Sequence, residues 1–285
     1  MKIPVTAIIL TYNEERNIRD CLDSISNFVS QIIVVDSYST DSTLSFLEEY
    51  NVEVVQNAFV NYSQQRNWAL MNCNIQHEWV LNMDADHRIT PELAKELGNL
   101  FRSNINDNTK GFLASRRTMF MGKWIKHGGH YPTYHAILFR VGFGKCEEPL
   151  YVQHFKVDGK VEKLKGDVID LITESLTTFT ARHNKWSDLE SFEQHHNLLE
   201  RKGNLIQGNL SGTPIERRRL MKNVYDSFPL FVRPFIYFFI RYILRLGFLD
   251  GLRGLIFHFL QCFWFRFLID AKIYELQRSA KNKKK

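Results

Sequence analysis

Through its first hundred residues the chain alternates short apolar runs with amphipathic stretches, and few architectures accept that rhythm. Residues 3–10, 31–36, 52–55 and 78–83 read as strands, while residues 14–28, 42–50 and 63–73 carry apolar side chains at helical spacing. Strands alternating with helical patterns imply βαβ units, hence a parallel sheet covered by helices on both faces. In open sheets of this kind ligands bind beyond the carboxyl ends of the strands. Polar residues gather at those ends: Thr11-Tyr12-Asn13-Glu14, Asp36-Ser37-Tyr38-Ser39 and Asp84-Ala85-Asp86-His87. Residues 111–170 read as a mixed-sheet region, with turns at His127-Gly128-Gly129-His130 and Asp158-Gly159.

Asp84-Ala85-Asp86 is the strongest local signal. Two carboxylates at i and i+2 after a strand can converge on a divalent ion and its bound diphosphate, because Mg²⁺ and Mn²⁺ prefer oxygen ligands and share their shell with substrate phosphates. A lone D-x-D arises easily by chance, and one Asp is readily a helix N-cap. The polar clusters on the neighbouring strand ends tip the balance toward a ligand site. Asp36 ends an apolar strand and can accept hydrogen bonds from a base or ribose, whereas Asp41 or Ser42 reads as the cap of the next helix. Tyr12 offers a ring for stacking; the plainer account of its neighbours is an Asn13 cap with Glu14 and Glu15 in the first turn.

In order along the chain stand Thr11-Tyr12-Asn13-Glu14-Glu15, Val34-Val35-Asp36 with Ser39-Thr40-Asp41-Ser42-Thr43, Gln65-Arg66-Asn67 and Met83-Asp84-Ala85-Asp86. This series resembles the family 2 glycosyltransferases of GT-A fold, and within them the lipopolysaccharide-core and capsule branch typified by bacterial β-1,4-glucosyltransferases. The match covers roughly the first 120 residues. It continues more weakly through Trp124-Ile125-Lys126-His127-Gly128-Gly129, Tyr131-Pro132, Arg182-His183-Asn184-Lys185-Trp186 and Gly247-Phe248-Leu249-Asp250-Gly251.

The resemblance implies an α/β, Rossmann-like mixed sheet and a nucleoside-diphosphate sugar as donor, with UDP as its nucleotide. Thr11, Tyr12, Asn13, Glu14, Asp36, Arg66, Asp84, Ala85 and Asp86 would line the donor site. Asp36 would meet the base, Tyr12 and Glu14 would flank the nucleoside, and Asp84 and Asp86 would hold the ribose–diphosphate with Mg²⁺ or Mn²⁺, Asp86 as principal ligand. Two positions depart from the family pattern: His87 stands where an acid is frequent, and Ile137 where an arginine often follows the Tyr-Pro turn. Inverting transfer to a hydroxyl also needs a base. Glu148 is the first choice and Glu147 nearly level with it, a solvated turn acid being the plain alternative for either. His154 is a weaker candidate, Gln153 stands where an acid is common, and Asp158 before Gly159 reads as a turn residue.

The last quarter changes character. Between residues 228 and 269 aromatics crowd in, yet Arg233, Arg241, Arg245, Arg253 and Arg266 interrupt them, and the longest stretch there free of Lys, Arg, Asp and Glu is 254–265. A span needs roughly 20 apolar residues, so a helical module lying in the membrane interface, arginines toward headgroups, is the expectation. A helical subdomain packed through its aromatics is the alternative. The domains are accordingly drawn as a catalytic 1–225 and a membrane-associating 226–285 with a basic tail. The net charge of +6 suits anionic lipid in that context, and outside this module no basic stripe interleaves with aromatics to point to nucleic acid.

Residues 5–10 are too short for a signal-peptide core, and Cys21, Cys73, Cys146 and Cys262 lack disulfide or zinc spacing. The expectation is a peripheral protein on the cytoplasmic face of the inner membrane. The ten histidines include no H-x-x-x-H or H-E-x-x-H pair, so no zinc site is expected; Arg182, His183 and Trp186 are assigned to diphosphate or acceptor. Dinucleotide-binding G-x-G-x-x-G and phosphate-gripping G-x-x-x-x-G-K-[ST] are both missing. The expected reaction is inverting sugar transfer to a hydroxyl of a lipid-linked or lipopolysaccharide-core saccharide. Its rivals are a polyprenyl-phosphate sugar transferase, which needs no hydroxyl base, and a non-catalytic membrane scaffold of the same fold.

Overall fold

The computed structural model describes residues 2–103, 105–147, 155–172, 175–196 and 207–282. They gather into two compact units: the first holds 2–103, 105–117, 134–147 and 155–171, the second 118–133, 172, 175–196 and 207–282. This division follows contacts, whereas the boundary at residue 225 follows a shift in residue type; the two fall at different places along the chain.

The strands are β1 (Ile3–Thr11), β2 (Val29–Asp36), β3 (Glu53–Gln56), β4 (Trp79–Asp84), β5 (His87–Ile89), β6 (Thr109–Phe120), β7 (Lys123–Trp124), β8 (Tyr134–Arg140), β9 (Gly144–Cys146), β10 (Phe155–Val157) and β11 (Lys160–Leu171). Helices α1 (Ile18–Asp23), α2 (Thr43–Leu47), α3 (Tyr62–Asn72) and α4 (Pro91–Leu100) belong to the first unit. Its sheet runs β3-β2-β1-β4-β8-β6-β11-β5. The β3-β2-β1-β4 half is parallel, as the strand–helix rhythm requires, and β8, β6 and the β11–β5 pair continue it antiparallel. The result is a mixed sheet with helices. Strands β9 and β10 form a separate antiparallel pair.

Strand β1 shows why its sequence is continuously apolar rather than alternating. Ala7 and Ile9 join Val34, Leu81, Ile18, Leu22, Leu47, Leu93 and Leu97 in one core cluster, under α1, α2 and α4. Ile8 points the other way and packs with Ile33, Val35, Val80 and Ala69, under α3. A strand buried on both faces has no polar side, and each aliphatic side chain so buried contributes about 1.5–3 kcal/mol. The helices start where their caps dictate: the Asn61 side chain accepts from Gln64 N at 2.9 Å, and Thr90 Oγ1 accepts from Leu93 N at 3.3 Å, ahead of Pro91.

The second unit contains α5 (Leu176–His195), α6 (Pro214–Asp226), α7 (Arg233–Phe238), α8 (Gly251–His258) and α9 (Phe265–Asn282), with a π-helical stretch at Phe259–Trp264 joining α8 to α9. Phe257 packs with Phe120, Ile125 and Phe179, while Phe265, Ile269 and Ile273 pack with Trp186 and Leu230. Arg233 and Asp270 form a buried ion pair at 2.6 Å within this unit. The helical run Gly247–Asn282 is, among the described residues, long and apolar enough to cross a membrane by length and composition, with a mean hydropathy of 1.3 and 33% of its apolar window buried.

Candidate functional site

Parallel register brings the polar strand ends to one level. Thr11 pairs with Asp36 across β1 and β2, and Leu10 pairs with Asp84 across β1 and β4. Ala85 continues this alignment, its N–H donating to Leu10 O at 3.2 Å. The two loops beyond β1 and β2 are then knitted together. Asn13 takes a left-handed conformation (φ 54°); its Oδ1 accepts from Thr40 N at 2.8 Å and its N–H donates to Ser39 Oγ at 2.9 Å. Glu14 N donates to Thr43 Oγ1 at 2.8 Å and Glu15 N to Asp41 Oδ2 at 3.1 Å. Asp41 also accepts from Thr43 N at 3.0 Å, so it fastens the loop and starts α2. Asp36 is fully buried and accepts from Ser39 N at 2.9 Å and Gln56 Nε2 at 3.2 Å. Tyr12, by contrast, is 57% exposed and leaves its ring open to a planar ligand.

At the end of β4 the carboxylates converge. Asp84 Oδ1 accepts from Arg66 Nη2 at 2.6 Å and from the Tyr62 hydroxyl at 3.2 Å. Arg66, assigned to the donor site by resemblance, is buried and also donates to Ile8 O at 3.0 Å and Met83 O at 2.7 Å. Its influence on a donor therefore runs through Asp84. Ligand atoms of Asp84, Asp86 and His87 lie within 4.8 Å of one another. His87 Nδ1 accepts from Asp84 N at 3.1 Å, which places the proton of the neutral ring on Nε2. That Nε2 faces Asp84 Oδ2 at 3.7 Å and Asp86 Oδ1 at 3.8 Å. In this tautomer the N–H side of His87 faces the two carboxylates, which leaves the carboxylates as the groups able to take a cation.

The electrostatics suit a cation-binding site. Burial, then Asp170, Asp84 and Glu14, push the Asp86 carboxyl well above its usual range. Burial also opposes ionisation of Asp84, but the surrounding groups outweigh it and hold its carboxyl low. Burial and Arg116 depress His87 to about 4, so it is uncharged at neutral pH. A proton-hungry Asp86 beside an ionised Asp84 is the charge state that a divalent oxygen-preferring ion relieves.

Sequence reasoning passed over three members of this cluster. Tyr62 opens α3; Arg116 on β6 pairs with Asp170 on β11 at 3.5 Å; and Asp170 stands opposite His87 in the β11–β5 register. Nothing local marks Arg116 or Asp170, since only the antiparallel half of the sheet brings them beside Asp86. Glu147 is buried, and its backbone carbonyl accepts from Ser63 Oγ on α3. Asn67 of the same helix grips Cys146 through two hydrogen bonds of 2.8 and 3.0 Å. Glu148, Gln153 and His154 lie outside the described residues. Asp158 is the turn residue expected, its N–H donating to Phe143 O at 2.8 Å, and Ile137 is buried in β8. His183 corrects an expectation: it is buried in the second unit, stacks on Phe179 at 3.8 Å and engages Phe179 O and Gln261 through its two ring nitrogens. Arg182 bonds the Ile172 carbonyl and lies over the Trp186 ring, so this trio serves packing.

Residues 6–155 match the family model for glycosyl transferase family 2. An uncharacterized glycosyltransferase of Rickettsia felis is 35% identical over 103 residues, 36% of this chain and 36% of that protein. The lipopolysaccharide core biosynthesis glycosyltransferase LpsC of Rhizobium meliloti is 29% identical over 126 residues, 42% of this chain and 45% of that protein. The chain thus spans between a third and a half of the length of these curated relatives. A solved structure of S. aureus TarS 1–349 in complex with UDP-GlcNAc aligns over 98% of this chain and 92% of that one, at 15% identity and a TM-score of 0.46.

Proposed function

The chain belongs to glycosyl transferase family 2, and on that premise we propose that it is an inverting enzyme moving a sugar from a UDP-sugar to a hydroxyl of a lipid-linked or lipopolysaccharide-core saccharide. One observation carries the reading: Asp84 and Asp86 converge at the end of β4, one carboxyl held low and the other pushed up by burial and neighbouring acids, level with buried Asp36 and exposed Tyr12. A divalent ion such as Mg²⁺ or Mn²⁺, held by Asp86 and Asp84, would neutralise charge developing on the departing diphosphate. The chain's own residues do the rest. Arg66 and Tyr62 fix Asp84, His87 Nδ1 accepts from the Asp84 N–H, and the Tyr12 ring offers a stacking face. Glu147 and Glu148 are the candidates for the base that takes the acceptor hydroxyl's proton.

The relative named for lipopolysaccharide core biosynthesis supports the acceptor class. Peripheral attachment to the cytoplasmic face of the inner membrane is part of the same proposal. Phe257, Phe265 and Ile269 are committed to packing, while Phe235, Phe239 and Leu252 stay 57%, 52% and 72% exposed. A run that buries one side and bares the other suits a helix lying in the interface. Thermal-shift titration with UDP, GDP and CDP, with and without Mn²⁺, tests the donor assignment. A ligand at 100 times its Kd adds about 2.7 kcal/mol to the native state. The expected outcome is a manganese-dependent rise with UDP, and no rise with any nucleotide on a folded sample overturns it.

A further inference from the structure

A second group of ligand-type side chains lies wholly within the second unit and takes no part in the carboxylate cluster. His130 follows the glycine turn after β7, and His258 and Cys262 sit four residues apart on the α8–α9 run. One ring nitrogen from each histidine and the Cys262 Sγ lie within 4.8 Å of one another. Cys262 Sγ is 3.7 Å from His258 Nδ1 and 4.0 Å from His130 Nε2. Around a tetrahedral zinc ion, with Zn–N about 2.0 Å and Zn–S about 2.3 Å, sulfur and nitrogen stand about 3.6 Å apart. The observed separations are within about half an ångström of that figure.

The surroundings hold these three groups in place. His127 Nδ1 lies 2.8 Å from Asp250 Oδ1, and Gly128 N donates to Arg245 O at 2.9 Å, tying the turn to the segment before α8. Gly128 and Gly247 press against the His258 ring. A Cβ at Gly128 would meet Cε1 at 2.1 Å, and one at Gly247 would meet Nε2 at 2.6 Å. The π-helical stretch Phe259–Trp264 begins between His258 and Cys262, and such local widening recurs at functional positions. His258 is fully buried and turns Nδ1, rather than the Nε2 beside Gly247, toward Cys262 Sγ. The Arg241 guanidinium also bonds to Cys262 and stands near both imidazoles, and the thiol itself adds only one weak donor and one weak acceptor. A soft cation engages all three groups.

We propose that His130, His258 and Cys262 form a metal site for an ion that prefers thiolate and imidazole, zinc being the type, which staples the 127–133 turn to the α8–α9 helix. Binding exchanges the thiol proton for the ion, and the proton leaves to solvent. Three protein ligands leave a fourth position for water. Sequence spacing hides the site because one ligand lies far from the other two and H-x-x-x-C is not a recognised zinc pattern.

The test uses the full chain, stripped of metal by chelator and titrated with Co²⁺ in excess Mg²⁺. A thiolate-to-cobalt charge-transfer band in the near ultraviolet, saturating at one equivalent per chain and bleached by Zn²⁺, is the expected result. That band reports sulfur ligation, so a cation at Asp84 and Asp86 does not produce it. Cys262→Ser should abolish the band while leaving the manganese-dependent UDP shift intact. His130→Ala should keep the band but raise the half-saturating Co²⁺ concentration at least ~10-fold. No band at one equivalent with folded wild-type protein, or a band that persists in Cys262→Ser, overturns the proposal.

Discussion

Replacing Arg66 with methionine probes how the strand ends are held. The guanidinium bonds Ile8 O, Met83 O and Asp84 Oδ1 at 3.0, 2.7 and 2.6 Å, joining β1 and β4 at the level of the site. Methionine keeps much of the apolar stem, so the loss is chiefly electrostatic. Removing one partner of a buried ion pair costs about 3–5 kcal/mol, because the other charge stays behind. The Asp84 side chain is 24% exposed, so solvent screens part of its charge and the lower end applies, about 3 kcal/mol. With each kcal/mol worth about 2–4 °C in a chain of this size, the melting temperature should fall by about 6–12 °C.

The pH dependence of that loss follows from Asp84. Burial works against its carboxylate, yet His87, charged below about pH 4, and the Arg66 and Arg116 guanidiniums together outweigh burial and hold its folded pKa low. A group so depressed stabilises the fold above its unfolded pKa, about 3.9, and that contribution disappears as pH falls through the folded value. The gap between wild type and Arg66→Met is therefore full at pH 7 and narrows below about pH 4. Arg66→Lys keeps the charge but not the fork that reaches three acceptors, and should fall between the two. Differential scanning calorimetry from pH 3 to 7 reads all three proteins. A loss under about 2 °C, or a gap that does not change with pH, would refute the reasoning.

Three further outcomes are expected. Glu190 is buried in the second unit between Lys222 at 2.7 Å and Arg266 at 3.2 Å; burial raises its pKa, but the two cations outweigh it and leave it low. Glu190→Gln should cost about 3–5 kcal/mol at pH 7, and the cost should shrink as pH falls below about 4 and through the lowered folded pKa, as urea melts at several pH values would show. A Cβ at Gly166 on β11 would stand 2.4 Å from Leu93 Cα and 2.7 Å from Leu93 N. Backbone cannot swing aside as a side chain can, so Gly166→Ala should destabilise by about 1–3 kcal/mol in the same melts. Replacing Phe235, Phe239 and Leu252 together with glutamate should abolish co-sedimentation with anionic phospholipid vesicles and leave the melting temperature within about 2 °C; undiminished sedimentation would move the membrane contact elsewhere.

What the sequence disclosed was what local pattern can carry. Strands one, two and four were legible because both their faces are buried and each ends abruptly in polar residues, which located Asp36, Asp84 and Asp86 together. The helix expected over 14–28 shrinks to Ile18–Asp23. Asn13, Glu14 and Glu15 bond the 39–43 loop instead, a tertiary demand that spacing does not encode. Arg116 and Asp170 were hidden because antiparallel pairing far along the chain delivers them. The aromatic C-terminal run offered packing and membrane contact as alternatives. It devotes Phe257, Phe265 and Ile269 to the core and leaves Phe235, Phe239 and Leu252 exposed, a split that composition alone does not reveal.

The central claim is that Asp86 and Asp84 hold a divalent ion together with the donor's nucleotide. Electron paramagnetic resonance of Mn²⁺ reads this directly, since the sharp signal of the free ion is lost on binding. Titrating Mn²⁺ into wild-type protein with UDP should show one ion bound per chain, and Asp86→Ala should leave the ion free under the same conditions. Equal binding by both proteins, with each shown to be folded, would contradict the account.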